Sequence, residues 1–508
     1  MRKAFLLIIG GMAWLTANAQ QLELRTEVQA TTSAGDHTPL WLNANKYGLS
    51  SLDKTNGYVR AGAFRSIDND SSRRWAWGAG VDMAVASGFT STFVVQQAYG
   101  ELRWLKGLIT MGSKEQTMEL KNQELSSGSQ TLGINARPVP GIRLSLPDYW
   151  DIPYTGGWLA LKGHLFYGMQ TDDGWQRDFT QRQSKYAEHT KVHTKAGYLR
   201  IGKMGRPLNV ELGLEMACQY GGTAYPMGMY DSAVENEDGI KGMVKALIPS
   251  GGEAIENVYR NASGNHLGSL LARVNLDYER WGVSAYADHF FEDHSGLFLM
   301  GNSGYGLGDE WTTRKGSDFF LYDLKDMMLG AEVRLKQMPW LNTIVLEYVY
   351  SKYQSGPVYH DHTQRMADNI CGRDNYYNHY IFSGWQHWGQ VMGNPLYLSP
   401  LYNDDTFIRV ENNRFWAWHL GLSGSPMPRL HYRALCTVQK GWGTYDIPYD
   451  EPRRNVSLLA EMDYSFPVSS SFAGFHVRGA VGMDAGKLLG DNYGVQFTIG
   501  KTFNIGSK

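Results

Sequence analysis

Residues Tyr493 to Phe503 read YGVQFTIGKTF, and this run decides the fold. Tyr493, Val495, Phe497, Ile499, Lys501 and Phe503 fall on one face of an extended strand. Gly494, Gln496, Thr498, Gly500 and Thr502 fall on the other, because side chains alternate along a strand. A strand that is apolar on one side and small or polar on the other suits a transmembrane barrel, with lipid outside and water inside. It also suits an amphipathic strand of a soluble sandwich. The run ends on an aromatic residue near the C-terminus, as outer-membrane barrels of bacteria commonly do.

The same alternation recurs along the chain. Leu22, Leu24, Thr26 and Val28 alternate with Glu23, Arg25, Glu27 and Gln29. Trp75, Trp77, Ala79, Val81 and Met83 alternate with Ala76, Gly78, Gly80, Asp82 and Ala84. Similar runs lie near 159–167, 209–218, 270–278, 329–335, 344–350, 416–422, 458–464 and 475–484. Weaker ones lie near 58–66, 93–104, 106–112, 141–146, 194–202, 282–291 and 430–439. Many reach the roughly 9–11 residues that a tilted strand needs to cross a bilayer, beyond the roughly 5–6 usual in globular strands. The expected fold is all-β, a transmembrane antiparallel barrel of about 16–18 strands.

The N-terminus supports export. Arg2 and Lys3 precede an apolar run from Ala4 to Leu15, and Ala17-Asn18-Ala19 is a small-x-small cleavage signal. The expected division is a signal peptide at 1–19 and one barrel domain at 20–508. After Ala19 no stretch approaches about 18 uninterrupted apolar residues, which excludes a helical membrane protein. A mean hydropathy of −0.38 agrees. The 508 residues include 58 Gly, 30 Tyr and 16 Trp, which suit a crowded barrel wall and membrane interfaces or a sugar-binding surface. A net charge of −2 gives no footprint for nucleic acid. Cys218, Cys371 and Cys436 form no disulfide framework.

Long connections at 171–193, 221–267, 293–326 and 354–413 are rich in aromatics. By the usual topology they are extracellular, and short turns such as Gln337–Asn342 and Gly424–Pro428 are periplasmic. The densest cluster is Arg373, Asp374, Asn375, Tyr376, Tyr377, Asn378 and His379, followed by Trp385, His387 and Trp388. Sugars have apolar ring faces and hydroxyl rims, which such residues match. Tyr376, Tyr377, Trp385, Trp388 and Trp442 are the stacking candidates. Arg373, Asn375, Asn378 and His387 are the hydrogen-bonding ones, with Tyr445 beside Trp442. The rival reading makes this cluster a plug that closes the barrel mouth. Tyr359-His360-Asp361-His362 resembles a metal site only by residue type, and a solvated loop accounts for it. Gly301-Asn302-Ser303-Gly304-Tyr305 lacks the second glycine of a nucleophile elbow. Neither a cofactor nor a metal is expected.

Five ordered stretches resemble the capsule-assembly Wzi family in its Bacteroidetes-type form. They are Thr38 to Gly48 (TPLWLNANKYG), Ala98 to Arg103 with Thr110 to Glu115, Leu125 to Gly128 running into Asn135 to Pro140, Asp374 to His379 with Gly384-Trp385 and Gly393 to Pro395, and Gly443 to Tyr445 with the closing strands. The resemblance implies an outer-membrane barrel of about 18 strands. It also implies a lectin-like, non-catalytic role in holding exported capsular polysaccharide at the cell surface. Its partners would be that polymer, outer-membrane lipid and the export machinery. Better-known members carry a periplasmic helical bundle before the barrel; here a strand-like run starts almost at the cleavage site. Two rivals remain. In one, the barrel is a diffusion channel whose selectivity is set by Arg273, Asp277, Arg334 and Arg478. In the other, it is a barrel hydrolase.

Overall fold

The alternation of the closing run is realised residue by residue in a computed structural model. It describes residues 22–70, 72–228, 233–248, 264–292, 304–305, 314–315, 325–354, 359–360, 369–370 and 374–506. Tyr493, Val495 and Phe497 are 55, 50 and 52% exposed, whereas Gln496 and Thr498 are 6 and 1% exposed. The signal-peptide residues, Cys371, Arg373, Asp361, His362 and Gly301–Ser303 lie outside the described residues.

Eighteen strands form one closed sheet. They are β1 Leu22–Ala34, β2 Thr55–Arg65, β3 Trp75–Ser87, β4 Phe93–Trp104, β5 Gly107–Ser113 and β6 Gly141–Asp151. Next come β7 Leu159–Met169, β8 Lys191–Ile201, β9 Leu208–Tyr220, β10 Asn265–Asp277, β11 Trp281–Glu292 and β12 Met327–Leu335. The circuit ends with β13 Thr343–Tyr350, β14 Phe415–Met427, β15 Leu430–Gly443, β16 Pro448–Ser465, β17 Phe475–Gly486 and β18 Asn492–Ile505. Each strand pairs antiparallel with its sequence neighbours. The seam is β1 on β18, with Val28 opposite Ile499 and Ala30 opposite Phe497. Closure leaves no strand edge, which is the condition for a sheet to sit in lipid.

Aromatic residues gather at both ends of the outer face, as an interfacial girdle requires. Trp75 stacks on Trp104 at 5.7 Å near one end, and Trp418 packs on Tyr348 at 4.8 Å near the other. The long connections share one end. Those at 66–74, 105–106, 278–280, 428–429 and 466–474 join strands at the end where Leu22 and Ile505 lie. The long connections after β1, β5, β7, β9, β11 and β13 leave from the opposite end, together with the short ones at 88–92, 444–447 and 487–491. The expected turn at Gly424–Pro428 is narrower than its composition implied. Strand β14 runs on to Met427 through an irregularity, and Arg429 takes the left-handed φ of +78°.

Among the described residues, the inner face is packed against chain. Segments 35–54, 114–140 and 374–414 fold back into the lumen and pack as a plug. Leu40, Trp41, Leu42, Leu125, Trp385 and Leu396 form one apolar cluster with the wall residues Tyr286, Val345, Ala417 and Leu435. Two inner-face glycines admit the plug. A Cβ at Gly494 would meet Leu42 at 2.9 Å, and one at Gly421 would meet Leu125 Cβ at 2.8 Å.

Polar clamps fix its register. Glu347 accepts from Ser126 Oγ at 2.6 Å, Ser127 N at 2.8 Å, Ser127 Oγ at 2.6 Å and Tyr286 Oη at 2.5 Å. Lys121 pairs with Asp288 at 2.7 Å with both side chains buried. His419 Nε2 meets Leu125 O at 2.8 Å. The inner charges proposed to tune a channel are occupied as well. Arg273 pairs with Glu332 at 2.9 Å, Arg478 with Asp463 at 2.8 Å and Arg334 with Asp277 at 3.6 Å.

Candidate functional site

Above the plug, the long-loop end holds a cleft of about 910 Å³. Its walls come from the connection after β7, the connection after β9, segment 374–414, and the 444–447 connection with the start of β16, together with Asn265 of β10 and Glu292 of β11. The first two are braced by a small three-stranded sheet, Tyr186–Glu188, Thr223–Tyr225 and Val234–Glu235. Tyr186 stacks on Tyr225 at 4.5 Å and both pack against Ile408. Helix α1, Asp173–Thr180, adds Trp175 stacked on Phe179 at 5.0 Å. A loop tied to a rigid platform of this kind is the usual carrier of a binding site.

The cleft presents Tyr380, 70% exposed, with Phe407 and Tyr449. Two of these rings carry guanidinium groups, Arg453 over Tyr449 at 4.0 Å and Arg409 over Phe407 at 4.9 Å. Arg409 also pairs with Glu411 at 2.7 Å. Lys185 Nζ donates to His379 O at 2.5 Å. Burial, and then the Arg409 cation, push the Lys185 ammonium down to about 8. His379 Nδ1 accepts from Ile381 N at 3.1 Å and Phe382 N at 3.2 Å, so its proton sits on Nε2. Burial, then the Lys185 charge, lower its pKa to about 3 and keep the ring neutral. Flat rings, amides, carboxylates and cations thus face one space, the mix that grips a polyhydroxylated ring.

Most of the sequence-derived candidates that are described fall in this cleft or among the residues packed below it. Asn375 and Asn378 line the cleft. Asn378 Nδ2 donates to Asn375 Oδ1 at 2.8 Å and Val410 O at 2.9 Å, which fixes the local turn. Tyr376, Tyr377 and Trp385 are instead buried in the plug core. Tyr376 Oη bonds Asp326 at 3.1 Å, Tyr377 packs on Tyr397 at 4.2 Å, and Trp385 Nε1 donates to Thr131 O at 2.9 Å. Their faces are taken by other side chains, so they hold the plug rather than meet a ligand. His387 is also buried, with Nδ1 on Arg137 O at 2.9 Å. Trp388 is half-buried and lies under Arg137 at 4.5 Å.

Trp442 sits outside the lumen. On β15 it is in phase with the exposed Val438, and it is flanked by Lys352 at 4.3 Å and Lys440 at 5.1 Å. Tyr445 stacks under Arg414 at 3.6 Å. The cleft residues Tyr380, Phe407, Tyr449 and Arg453 escaped the sequence reading. Tyr380 directly follows the chosen cluster, so adjacency was its available signal, whereas Phe407, Tyr449 and Arg453 lie apart from the chosen residues and carried none.

Trp385→Ala should therefore act on stability. Loss of a buried tryptophan costs about 3–5 kcal/mol, read as a clearly lower melting temperature of the purified barrel. An unchanged melting temperature would contradict the packing.

The fold and cleft define a class, an 18-stranded outer-membrane-type barrel with a filled lumen and a polar-aromatic cleft at its mouth. No family model matches the sequence, and no curated protein does. Among solved structures, the chain is similar to Wzi of Escherichia coli, an outer-membrane protein involved in group 1 capsule assembly and described as a carbohydrate-binding β-barrel. The TM-score is 0.56 at 13% identity, over 94% of this chain and 83% of that one. OprD of Pseudomonas aeruginosa aligns at TM-score 0.45 and 9% identity over 96% of both chains. OccAB4 of Acinetobacter baumannii aligns at 0.45 and 10% over 96% and 99%. The likeness to Wzi lies in the barrel fold.

Proposed function

We propose that this chain is a non-enzymatic outer-membrane lectin that holds exported capsular polysaccharide at the cell surface. The observation that carries the reading is the cleft itself. Tyr380 and Phe407 are exposed and Tyr449 is half-buried beside Arg409, Arg453, Asn375 and Asn378, directly over described segments packed in the lumen. A site at the mouth of a closed barrel can hold a polymer arriving from outside without passing it. The carbohydrate binding described for the Wzi barrel is consistent with this. The long-loop end faces the medium by the usual topology of such barrels. Residues 1–19 act as the export signal and are removed.

The diffusion-channel reading is weaker for a specific reason. Its inner charges are paired to the wall, and segments 35–54, 114–140 and 374–414 occupy the space that a solute would use.

Binding of the purified barrel to the cell's own surface polysaccharide tests the proposal, and pH sharpens the test. Lys185 keeps its proton at about pH 7 and loses it as pH rises through about 8. For an acidic polymer, affinity should fall roughly tenfold between about pH 7 and 9.5, the loss of one charge-assisted hydrogen bond of about 1.5 kcal/mol. Absence of binding would sink the proposal, and pH-independent binding of an acidic polymer would remove Lys185 from the site.

A further inference from the structure

Segments 35–54, 114–140 and 374–414 also meet at a second, smaller cleft of about 180 Å³, which shares no lining residue with the first. Its walls include Ser50, Phe89, Arg137, Trp388 and Gln390. Arg137 is 7% exposed, yet its side chain makes a single hydrogen bond among the described residues, from Nη2 to Thr90 Oγ1 at 2.9 Å. Its Nε is buried and has no partner. No described ion pair includes it. The nearby Asp172 carboxylate is already engaged, by Gln176 Nε2 at 3.0 Å, Gln386 Nε2 at 3.2 Å and Trp388 N at 3.0 Å.

A buried cation without a counter-charge is costly and is normally paired. Burial pushes this guanidinium down to about 10, against the weak pull of Asp172. The group is nevertheless held in place. Its plane lies 4.5 Å over the Trp388 ring. Gly48, at φ +67°, presses on its stem, so that a Cβ there would sit 2.6 Å from Arg137 Cγ. The same cleft holds a second orphan, the buried acceptor Gln390 Oε1, whose Nε2 donates to Ser50 Oγ at 3.2 Å. Asp53 at the rim is exposed, where solvent screens its charge.

An unpaired guanidinium donor and an unpaired amide acceptor in one cleft call for an anion that carries a neighbouring hydroxyl. We propose that this cleft is a separate subsite for a hexuronic acid residue, with the carboxylate on Arg137 and a ring hydroxyl on Gln390 Oε1. The proposal rests on the glycan reading only for the source of the acid.

Calorimetric titration of the full-length barrel in detergent tests it, with sodium glucuronate, its uncharged methyl ester and inorganic phosphate as probes. Glucuronate should bind at least tenfold more tightly than either of the others, and R137Q should abolish that preference. Equal binding of the three probes would overturn the proposal, and so would a preference that survives in folded R137Q. If R137Q does not fold, R137K replaces it, since lysine keeps the charge but loses the flat two-pronged donor. A reduced preference in R137K supports the site, and an unchanged one overturns it. Failure here leaves the retention reading standing, because that reading is tested in the other cleft.

Discussion

Glu347→Ala combined with Asp288→Ala should turn a closed barrel into a conducting one. Glu347 takes four hydrogen bonds from Ser126, Ser127 and Tyr286, all buried. Its loss leaves those donors without their shared acceptor, at about 1–3 kcal/mol for each that stays unsatisfied. Asp288 is the ion-pair partner of Lys121 and also accepts from Gln130 N at 3.2 Å. Breaking such a buried pair from one side costs about 3–5 kcal/mol. Both carboxylates hold the same segment, 114–140, against the wall, so the two losses weaken one body. The wall strands keep their full ladders, and the barrel should stay closed on itself. The expected result in planar bilayers is silence from the wild type and stepwise conductance from the double variant. A folded double variant that stays silent would contradict the clamp.

Tyr380→Ala combined with Arg453→Gln should abolish most polysaccharide binding without disturbing the barrel. Tyr380 is largely exposed, and Arg453 makes its one described side-chain contact by lying over Tyr449. Neither belongs to the plug core. An aromatic platform contributes about 0.5–1.5 kcal/mol beyond its burial, and a hydrogen bond from a charged group about 1.5–3 kcal/mol. Together these predict roughly a thirtyfold to thousandfold loss of affinity, measured by calorimetry on purified polymer at an unchanged melting temperature. Wild-type affinity in the folded variant would move the site elsewhere.

The barrel was legible because its rule is local. In YGVQFTIGKTF, parity alone separates the exposed Phe497 from the buried Gln496 and Thr498. The weaker runs also became strands, though irregularities break the alternation where Gln96 and Gln97 are both buried and between Leu146 and Trp150, and the sheet closes with 18 strands, the upper end of the expected number. The plug was not legible because its partners are far apart in sequence. Leu125 meets His419 across 294 positions, and no periodicity announces that contact. Within Thr38 to Gly48, Leu40, Trp41 and Leu42 are a buried run without strand alternation, the local sign of a segment that packs inside the barrel. The same blindness misplaced Tyr376, Tyr377 and Trp385, since composition cannot tell a ring that waits for sugar from one already packed. Trp442 could have been placed from parity, being in phase with Cys436 and Val438 on the outer face. The Arg137 cleft depends on four stretches meeting, the 88–90 connection among them, and no periodicity brings Gly48, Arg137 and Gln390 together.

The most direct measurement is the partition of surface polysaccharide between cells and medium, compared among a deletion strain, its complement and a complement carrying the Tyr380 and Arg453 substitutions. Surface retention predicts polymer shed into the medium at unchanged total synthesis in the deletion strain and the substituted complement, with restoration by the wild-type gene. An unchanged partition in the deletion strain would contradict the account.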